Sequence, residues 1–476
     1  MIPDRFAPVL SEVAPLAERF ASRGYRLYLV GGSVRELLLG AAGGDHDLDF
    51  TTDARPGEIK ACLEGFADAV WTQGERFGTI GAKRGERIYE ITTLRAESYT
   101  DDSRKPHVTY TDEIDLDLSR RDFTVNAMAL EVTQGAAPTL VDPFGGAADL
   151  IAKVLRTPLA PEISFSDDPL RMLRAARFIA GYDLQPTDDL VEAATRLAGR
   201  LAIVSNERIR DELDKLLTLD HPAAGLFFVH ETGLAEHFLP ELPAMRLEHD
   251  PIHRHKDVLT HTIAVVENVR PLHEQPQARP PFDFRRVRLA ALFHDVGKPR
   301  TRGYQPGKGT TFHHHDAVGA RMTRKRMETL RYPKDDIDAV SELVALHLRF
   351  HTYRLGWSDS AVRRYVRDAG DLLNELNVLT RCDCTTRNAR KAAELAKRMD
   401  DLEQRIAELA DAEELAAIRP ELDGVAVMEL LGIGPGRAVG EALAFLLEIR
   451  LDEGPIGEDE AERRLLAWWS ARREPT

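Results

Sequence analysis

Residues 25–52 read "YRLYLVGGSVRELLLGAAGGDHDLDFTT", and their interpretation decides the fold of the N-terminal part. Tyr25–Val30 are β-formers stopped by Gly31 and Gly32, which predicts a strand and a tight turn. "SVRELLLG" follows as a short helix closed by Gly40. "HDLDFTT" (46–52) reads as a second strand, in which Leu48 and Phe50 alternate with Asp47 and Asp49. That alternation packs one face on a core and sets carboxylates on the other. Asp45 shares the carboxylate face.

The pattern continues on both sides. Residues 10–22 have the spacing of an amphipathic helix. "FGTIGAKRGERIYEITTLR" (77–95) reads as a hairpin turning at "KRGER". Residues 25–155 therefore look α+β, with a mixed or antiparallel sheet. Beyond about residue 156 the chain turns helical: "DPLRMLRAARFIAGY" (168–182) and "ERIRDELDKLL" (207–217) carry apolar residues at helical spacing. "HEQPQARPPFDF" (273–284) reads as a loop, and 386–420 as a long, charged antiparallel helix.

Composition bounds the classes. The chain has 476 residues, 43% hydrophobic and 30% charged, which suits a globular protein of several domains. It shows no apolar run of membrane-spanning length, and charges break the N-terminus, so neither a span nor a signal peptide is expected. Cys62, Cys382 and Cys384 are the only cysteines. They argue against a disulfide scaffold or structural zinc, and for a reducing cytoplasm. A net charge of −15 argues against a protein that coats DNA. Residues 298–331 run against that charge, with nine Lys/Arg and two acids. This is either a basic patch or a solvated helix face.

Two carboxylates at i and i+2 on a strand can converge on Mg²⁺, which takes one or two carboxylates plus substrate phosphates. Upstream, Gly31-Gly32 lets phosphates approach the backbone at a helix N-terminus. Together they form a phosphoryl-transfer arrangement. Each part alone is equally a turn or a polar strand face.

"YLVGGSVRELLLG…DHDLDFTTDARPGEI" resembles the signature of the class II nucleotidyltransferases, the bacterial tRNA CCA-adding enzymes and poly(A) polymerases. "LSRRDFTVNAMAL" (118–130), "LVDPFGGAADLIAKVLRT" (140–157), "SDDPLRMLRAARF" (166–178) and "NERIRDELDKLL" (206–217) resemble the further motifs in the family's order. The resemblance covers roughly residues 25–240. It implies a polymerase-beta-like mixed-sheet head, with Asp47 and Asp49 holding Mg²⁺ and Glu90 as a third carboxylate. Asp45 falls outside the matched pattern and is expected to enter the strand.

For the incoming nucleotide the resemblance implies Gly31, Gly32, Arg35, Arg121, Asp122 and Asn126. It also implies a hinge at Gly145-Gly146. In "DDPLR", Asp167 stands where the family usually has glutamate, and Asp168 and Arg171 match its base-selecting pair. On a helix those two lie on one face at i, i+3. Cytosine and adenine share an amino donor beside a ring-nitrogen acceptor, which a carboxylate and a guanidinium can read together. Uracil and guanine present the reverse. The alternative is a surface ion pair. Arg174 and Arg177 are further nucleotide candidates; Arg208 and Arg210 match basic positions implied to touch RNA.

Thirteen of sixteen histidines lie between 230 and 351. Imidazoles and carboxylates on successive helices can build a metal pocket. The series resembles the HD phosphohydrolases, which implies a site of His261, His294, Asp295 and Asp383. His315 and His347 would serve a second metal, and Lys298 a phosphate. The implied cofactor is a divalent transition metal. "LLGIGPGRAVGEALAFLLEIR" (430–450) sets a Gly/Pro turn before a helix. It is either a packed helix hairpin or an RNA contact through Arg437.

The expected organisation is a head (1–155), an all-α neck (156–240), an HD domain (241–395) and a helical tail (396–476). The resemblance implies addition of CCA to tRNA from CTP and ATP without a template, with a phosphoesterase on RNA ends attached. The actinobacterial enzymes of this type look closest. The alternatives are a poly(A) polymerase, a partial CCA-adding enzyme, or an HD hydrolase whose head only binds RNA.

Overall fold

The structure is a computed structural model describing residues 4–40, 47–100, 103–132, 138–247, 257–271, 274, 280–306, 309–352, 357–386, 388–413 and 418–473. Asp45 lies outside them. The chain forms two compact units, Met1–Pro243 and Ala244–Thr476. Among the described residues, no helix is long and apolar enough to cross a membrane.

The first unit is built on a mixed sheet. Its strands are β1 (Leu27–Val30), β2 (Leu48–Thr52), β3 (Ala69–Trp71), β4 (Thr79–Arg84), β5 (Arg87–Thr93), β6 (Arg95–Thr100), β7 (Ser103–Tyr110), β8 (Ala129–Glu131) and β9 (Thr139–Val141). Seven of them order as β3-β4-β5-β2-β1-β8-β9, while β6 and β7 form a separate ribbon. Only the β2–β5 pair of that sheet is parallel. Alternation sorts the two faces. Leu27, Leu29, Leu48, Phe50, Ile80, Tyr89 and Ile91 bury against helices Ala7–Ala21 and Pro56–Leu63. Asp49 and Glu90 consequently point the other way. The first helix starts before residue 10 because Pro8 suits a helix's opening turn, and Val13, Leu16, Ala17 and Phe20 make its buried stripe.

The expected hinge is a capped turn. Gly145 is left-handed, and the Asp142 carboxylate accepts from the Gly146 and Ala147 amides at 2.7 and 3.0 Å. Helices Pro161–Asp167, Leu170–Tyr182, Asp188–Leu197, Asn206–Leu217 and Ala223–Glu231 complete the unit.

Among the described residues, the second unit is helical apart from one hairpin. The expected division at 395/396 falls inside a continuous helix, Ala389–Glu413. No turn residue interrupts it, so the chain does not break there. The tail helices Gly424–Leu431, Arg437–Glu453 and Glu458–Arg473 pack through Val427, Leu431, Val439, Ala442, Leu446, Ala461 and Leu465.

Candidate active site

In the first unit the parallel pairing of β2 with β5 sets Asp49 beside Glu90. Asp47 precedes β2 and is exposed; Asp49 is half-buried. Burial first, then the Glu90 carboxylate, push the Asp49 carboxyl up to about 6, against the pull of the Arg121 guanidinium. Negative charge is thus gathered there, opposed by the Arg121 guanidinium. An all-oxygen donor set of this kind fits a hard divalent ion.

A cavity of about 470 Å³ opens beside Asp49. Gly31, Gly32, Arg121, Asp122, Asn126, Asp168, Arg171, Arg174 and Arg208 all line it. Gly31 has φ +66, and a Cβ there would come within 2.9 Å of Arg121 Nη1. Its bare backbone lets the guanidinium lie against the turn, with Arg121 Nε buried and without a hydrogen-bond partner. Gly31→Ala is expected to cost about 1 kcal/mol or more of stability and to raise the nucleotide KM about tenfold, since left-handed strain and displacement of Arg121 combine. Urea unfolding beside steady-state kinetics checks both. An unchanged KM would remove the turn from the binding surface.

Beneath the cavity lies a charged frame. Asp122 receives Arg174 Nε at 2.8 Å and Asn126 Nδ2 at 2.9 Å. Burial alone would raise this carboxyl; the Arg174 guanidinium and those hydrogen bonds outweigh it and hold Asp122 well below the usual carboxylate range. Asp117 is fully buried and binds Arg120 Nη2 at 2.8 Å and Arg121 Nη2 at 3.4 Å, which fixes both guanidinium groups.

Asp168 and Arg171 do not share one helix as expected. Asp168 is an extended residue between helices Pro161–Asp167 and Leu170–Tyr182, because Pro169 restricts the residue before it. Its carboxylate accepts from Arg208 at 2.7 Å, while the Arg171 guanidinium reaches Ser164 Oγ at 2.9 Å and the Arg120 carbonyl. The surface ion pair between them is therefore replaced by separate partners. Asp167 is the last residue of its helix.

Arg35 and Arg177 stand outside the cavity lining. Arg35 is buried, binds Asn126 Oδ1 and Tyr182 Oη, and lies 4.4 Å from the Tyr182 ring centroid. Arg177 binds Glu212 at 2.9 Å. Arg210 pairs with its neighbour Asp211 at 2.8 Å. Sequence reasoning missed Arg120, Asp211, Glu212 and Lys215, which also line the cavity. The last three follow Arg208 at +3, +4 and +7, so helical period was the available signal.

In the second unit the histidines sit at helix ends. His294, His347 and Asp383 directly follow helices Phe284–Phe293, Lys334–Leu346 and Leu373–Cys382; His315 opens helix His315–Thr329. Nδ1 of His294, His315 and His347 meets the carbonyls of Ala291, Phe312 and Val344 at 2.7–2.8 Å, and His261 Nδ1 meets Thr385 Oγ1 at 2.8 Å. The carbonyls put the proton on Nδ1 of His294, His315 and His347, and all four contacts aim Nε2 inward, as metal-ligating histidines require. His261, His294 and Asp383 form one potential ligand group, and Asp295, His315 and His347 another.

The Asp295 carboxylate faces both groups. Oδ2 lies 3.2 Å from His294 Nε2, and Oδ1 lies 3.4 Å from His315 Nε2. Burial pushes the His347 imidazole down to about 4, which leaves it neutral. A Cβ on Gly297 would stand 2.1 Å from the His315 carbonyl, so this glycine allows the two chain segments to meet. Lys298 Nζ reaches Asp295 Oδ2 at 2.6 Å. In the tail, the Arg437 side chain is 94% exposed and pairs with Glu441 at 2.9 Å.

Comparison with known proteins follows this division. Residues 27–156 match the poly A polymerase head domain, 183–245 a probable RNA- and SrmB-binding site of polymerase A, and 258–416 the HD domain. The A-adding tRNA nucleotidyltransferase of Deinococcus radiodurans is 35% identical over 451 residues, 93% of this chain and 95% of that one. The chain belongs to the tRNA nucleotidyltransferase family. The CC-adding tRNA nucleotidyltransferase of Thermus thermophilus is 33% identical over 456 residues, covering 94% of each chain. The CCA-adding enzyme of Lactobacillus helveticus is 38% identical over 234 residues, 49% of this chain and 56% of that one. In fold, the chain matches a Bacillus stearothermophilus CCA-adding enzyme crystallised with CTP, with a TM-score of 0.68, 22% identity and 99% coverage of both chains.

Proposed function

We propose that this chain is a cytoplasmic enzyme that adds CCA to tRNA 3′ ends from CTP and ATP. The observation that carries it is one cavity lined by the glycine turn, Asp49, Asp122, Asp168 and Arg171. Asp47, Asp49 and Glu90 would hold Mg²⁺, which when bound neutralises phosphate charge and favours the ionised 3′-hydroxyl of the primer. Gly31, Gly32 and Arg121 cradle the triphosphate, and Asp122 and Asn126 order its ribose end. Asp168 accepts from the base amino group, and Arg171 donates to the ring nitrogen. Arg174 holds Asp122; Arg35 and Arg177 steady that frame from outside the cavity. Arg208, Arg210 and Arg437 contribute positive charge toward tRNA.

The two relatives that align end to end are an A-adding and a CC-adding enzyme, so partial CCA addition is the second reading. Incubation with tRNA lacking CCA separates them. CTP alone should add two cytidines, ATP alone nothing, and both together CCA. Activity confined to CTP, or to ATP on tRNA ending in CC, selects a partial enzyme. A long tail from ATP alone selects a poly(A) polymerase.

We further propose that the HD cluster binds divalent transition metal through His261, His294, Asp295 and Asp383, with His315 and His347 at a second position. Its reaction would be hydrolysis of RNA ends such as 2′,3′-cyclic phosphates. One water is consumed, one P–O bond breaks, and a phosphomonoester and a hydroxyl result. Clearing such an end would restore the hydroxyl that nucleotide addition needs. Asp295→Ala is expected to abolish this hydrolysis and to reduce the rise in Tm on adding manganese, while nucleotide addition persists. Hydrolysis unchanged in that variant would refute the assignment.

A further inference from the structure

Residues 298–315 read "KPRTRGYQPGKGTTFHHH", a stretch without one acidic side chain in a protein of net charge −15. It contains the short helix Lys298–Thr301 and a hairpin of Arg302–Gln305 against Gly309–Phe312. The register sets Arg302 opposite Phe312 and Tyr304 opposite Thr310. Alternate strand residues share a face, so these four side chains form one face of the hairpin.

That face begins at the histidine cluster. Lys298 Nζ lies 2.6 Å from Asp295 Oδ2 and 5.8 Å from the Phe312 ring centroid. The carbonyl of Phe312 meets His315 Nδ1 at 2.8 Å. The face ends in solvent: Arg302–Gln305 are all exposed, with Tyr304 67% exposed. Arg300 and Arg302 stand exposed on the approach. An aromatic ring held out of the core beside cations is the combination that binds single-stranded nucleic acid. Bases stack on the ring, and the cations follow the phosphates.

We propose that this hairpin face is a platform for the last nucleotides of a single RNA strand whose terminal phosphate enters the His261–His294–Asp295–Asp383 cluster. The proposal rests on the phosphoesterase assignment above and gives that site its substrate class, an RNA end and not a small phosphate ester. Tyr304 stacks a base, and Arg300 and Arg302 hold backbone phosphates.

The test uses the full chain with manganese and two substrates, tetra-adenylate ending in a 2′,3′-cyclic phosphate and bis-p-nitrophenyl phosphate. Tyr304→Ala is expected to raise KM for the tetranucleotide about tenfold with kcat unchanged, and to leave the small ester and nucleotide addition unaffected. Tyr304→Phe should retain the wild-type KM. An unchanged KM in Tyr304→Ala, or equal losses on both substrates, would overturn the platform. Hydrolysis of neither substrate by wild type would instead overturn the phosphoesterase assignment. Tyr304→Trp then judges the platform alone. Quenching of its added fluorescence, relative to wild type, by the tetranucleotide supports it, and no quenching overturns it.

Discussion

Asp49→Asn is expected to abolish nucleotide addition, by about a thousandfold or more, and to stabilise the metal-free protein. The first effect follows from losing a carboxylate that lines the cavity proposed above to take the triphosphate. Charge stabilisation of phosphoryl transfer by a held metal is worth several kcal/mol, and about 4 kcal/mol is a thousandfold in rate. The second effect follows from the position of Asp49, whose carboxyl is pushed up to about 6 by burial and by Glu90. An unfolded aspartate titrates near 4. The raised group therefore favours the fold fully below about pH 4, and that contribution is lost as pH rises through about 6. At pH 8 the folded protein bears an ionised carboxylate at a cost on the order of 1–3 kcal/mol, which asparagine removes. Calorimetry across pH 4–8 should show the variant's Tm advantage growing with pH and vanishing near pH 4. Mg²⁺ should narrow it by stabilising the wild type. A Tm difference independent of pH would refute the electrostatic account.

Asp168→Asn is expected to lower kcat/KM for CTP and ATP by about 10- to 100-fold and to weaken rejection of UTP by a similar factor. The carboxylate can only accept, whereas an amide can also donate, and uracil presents a carbonyl where cytosine presents an amino group. Hydrogen bonds to charged groups contribute about 1.5–3 kcal/mol, which sets the range. In the structure the Asp168 carboxylate is engaged by Arg208 at 2.7 Å. Arg208→Ala is therefore the control: it should weaken tRNA binding with the CTP-over-UTP preference retained. Equal losses on all four nucleotides in Asp168→Asn would exclude a base-reading role. Single-turnover addition with each nucleotide in turn makes the measurement.

The two sites were legible to different depths. The alternation of Leu48 and Phe50 with Asp47 and Asp49 was enough to place β2 with its carboxylates away from the core, because period two leaves only two faces. Glu90 was harder. Its strand was evident, but only the parallel β2–β5 register sets it beside Asp49. Arg35 and Arg177 show the opposite limit. Their motif positions resemble those of nucleotide contacts, yet packing takes their guanidinium groups to Asn126, Tyr182 and Glu212. Asp117 was invisible because a buried anchor differs from a surface polar residue only by its neighbours.

By itself the sequence determined the chemistry available: a glycine turn, a pair of strand carboxylates, a carboxylate–guanidinium pair and an ordered series of histidines. Spacing also determined that Asp49 sits on a strand and that the histidines belong to a helical region, since local periodicity survives without tertiary context. Only the tertiary structure decided what each group faces. It brought residues from Gly31 to Lys215 around one cavity. It parted Asp168 from Arg171 at a helix junction. It turned the Nε2 atoms of the clustered histidines inward by giving their Nδ1 atoms to a hydroxyl and to nearby carbonyls. The physical reason is that partners distant in sequence meet only through packing, and the direction of a side chain is set by the partner it meets.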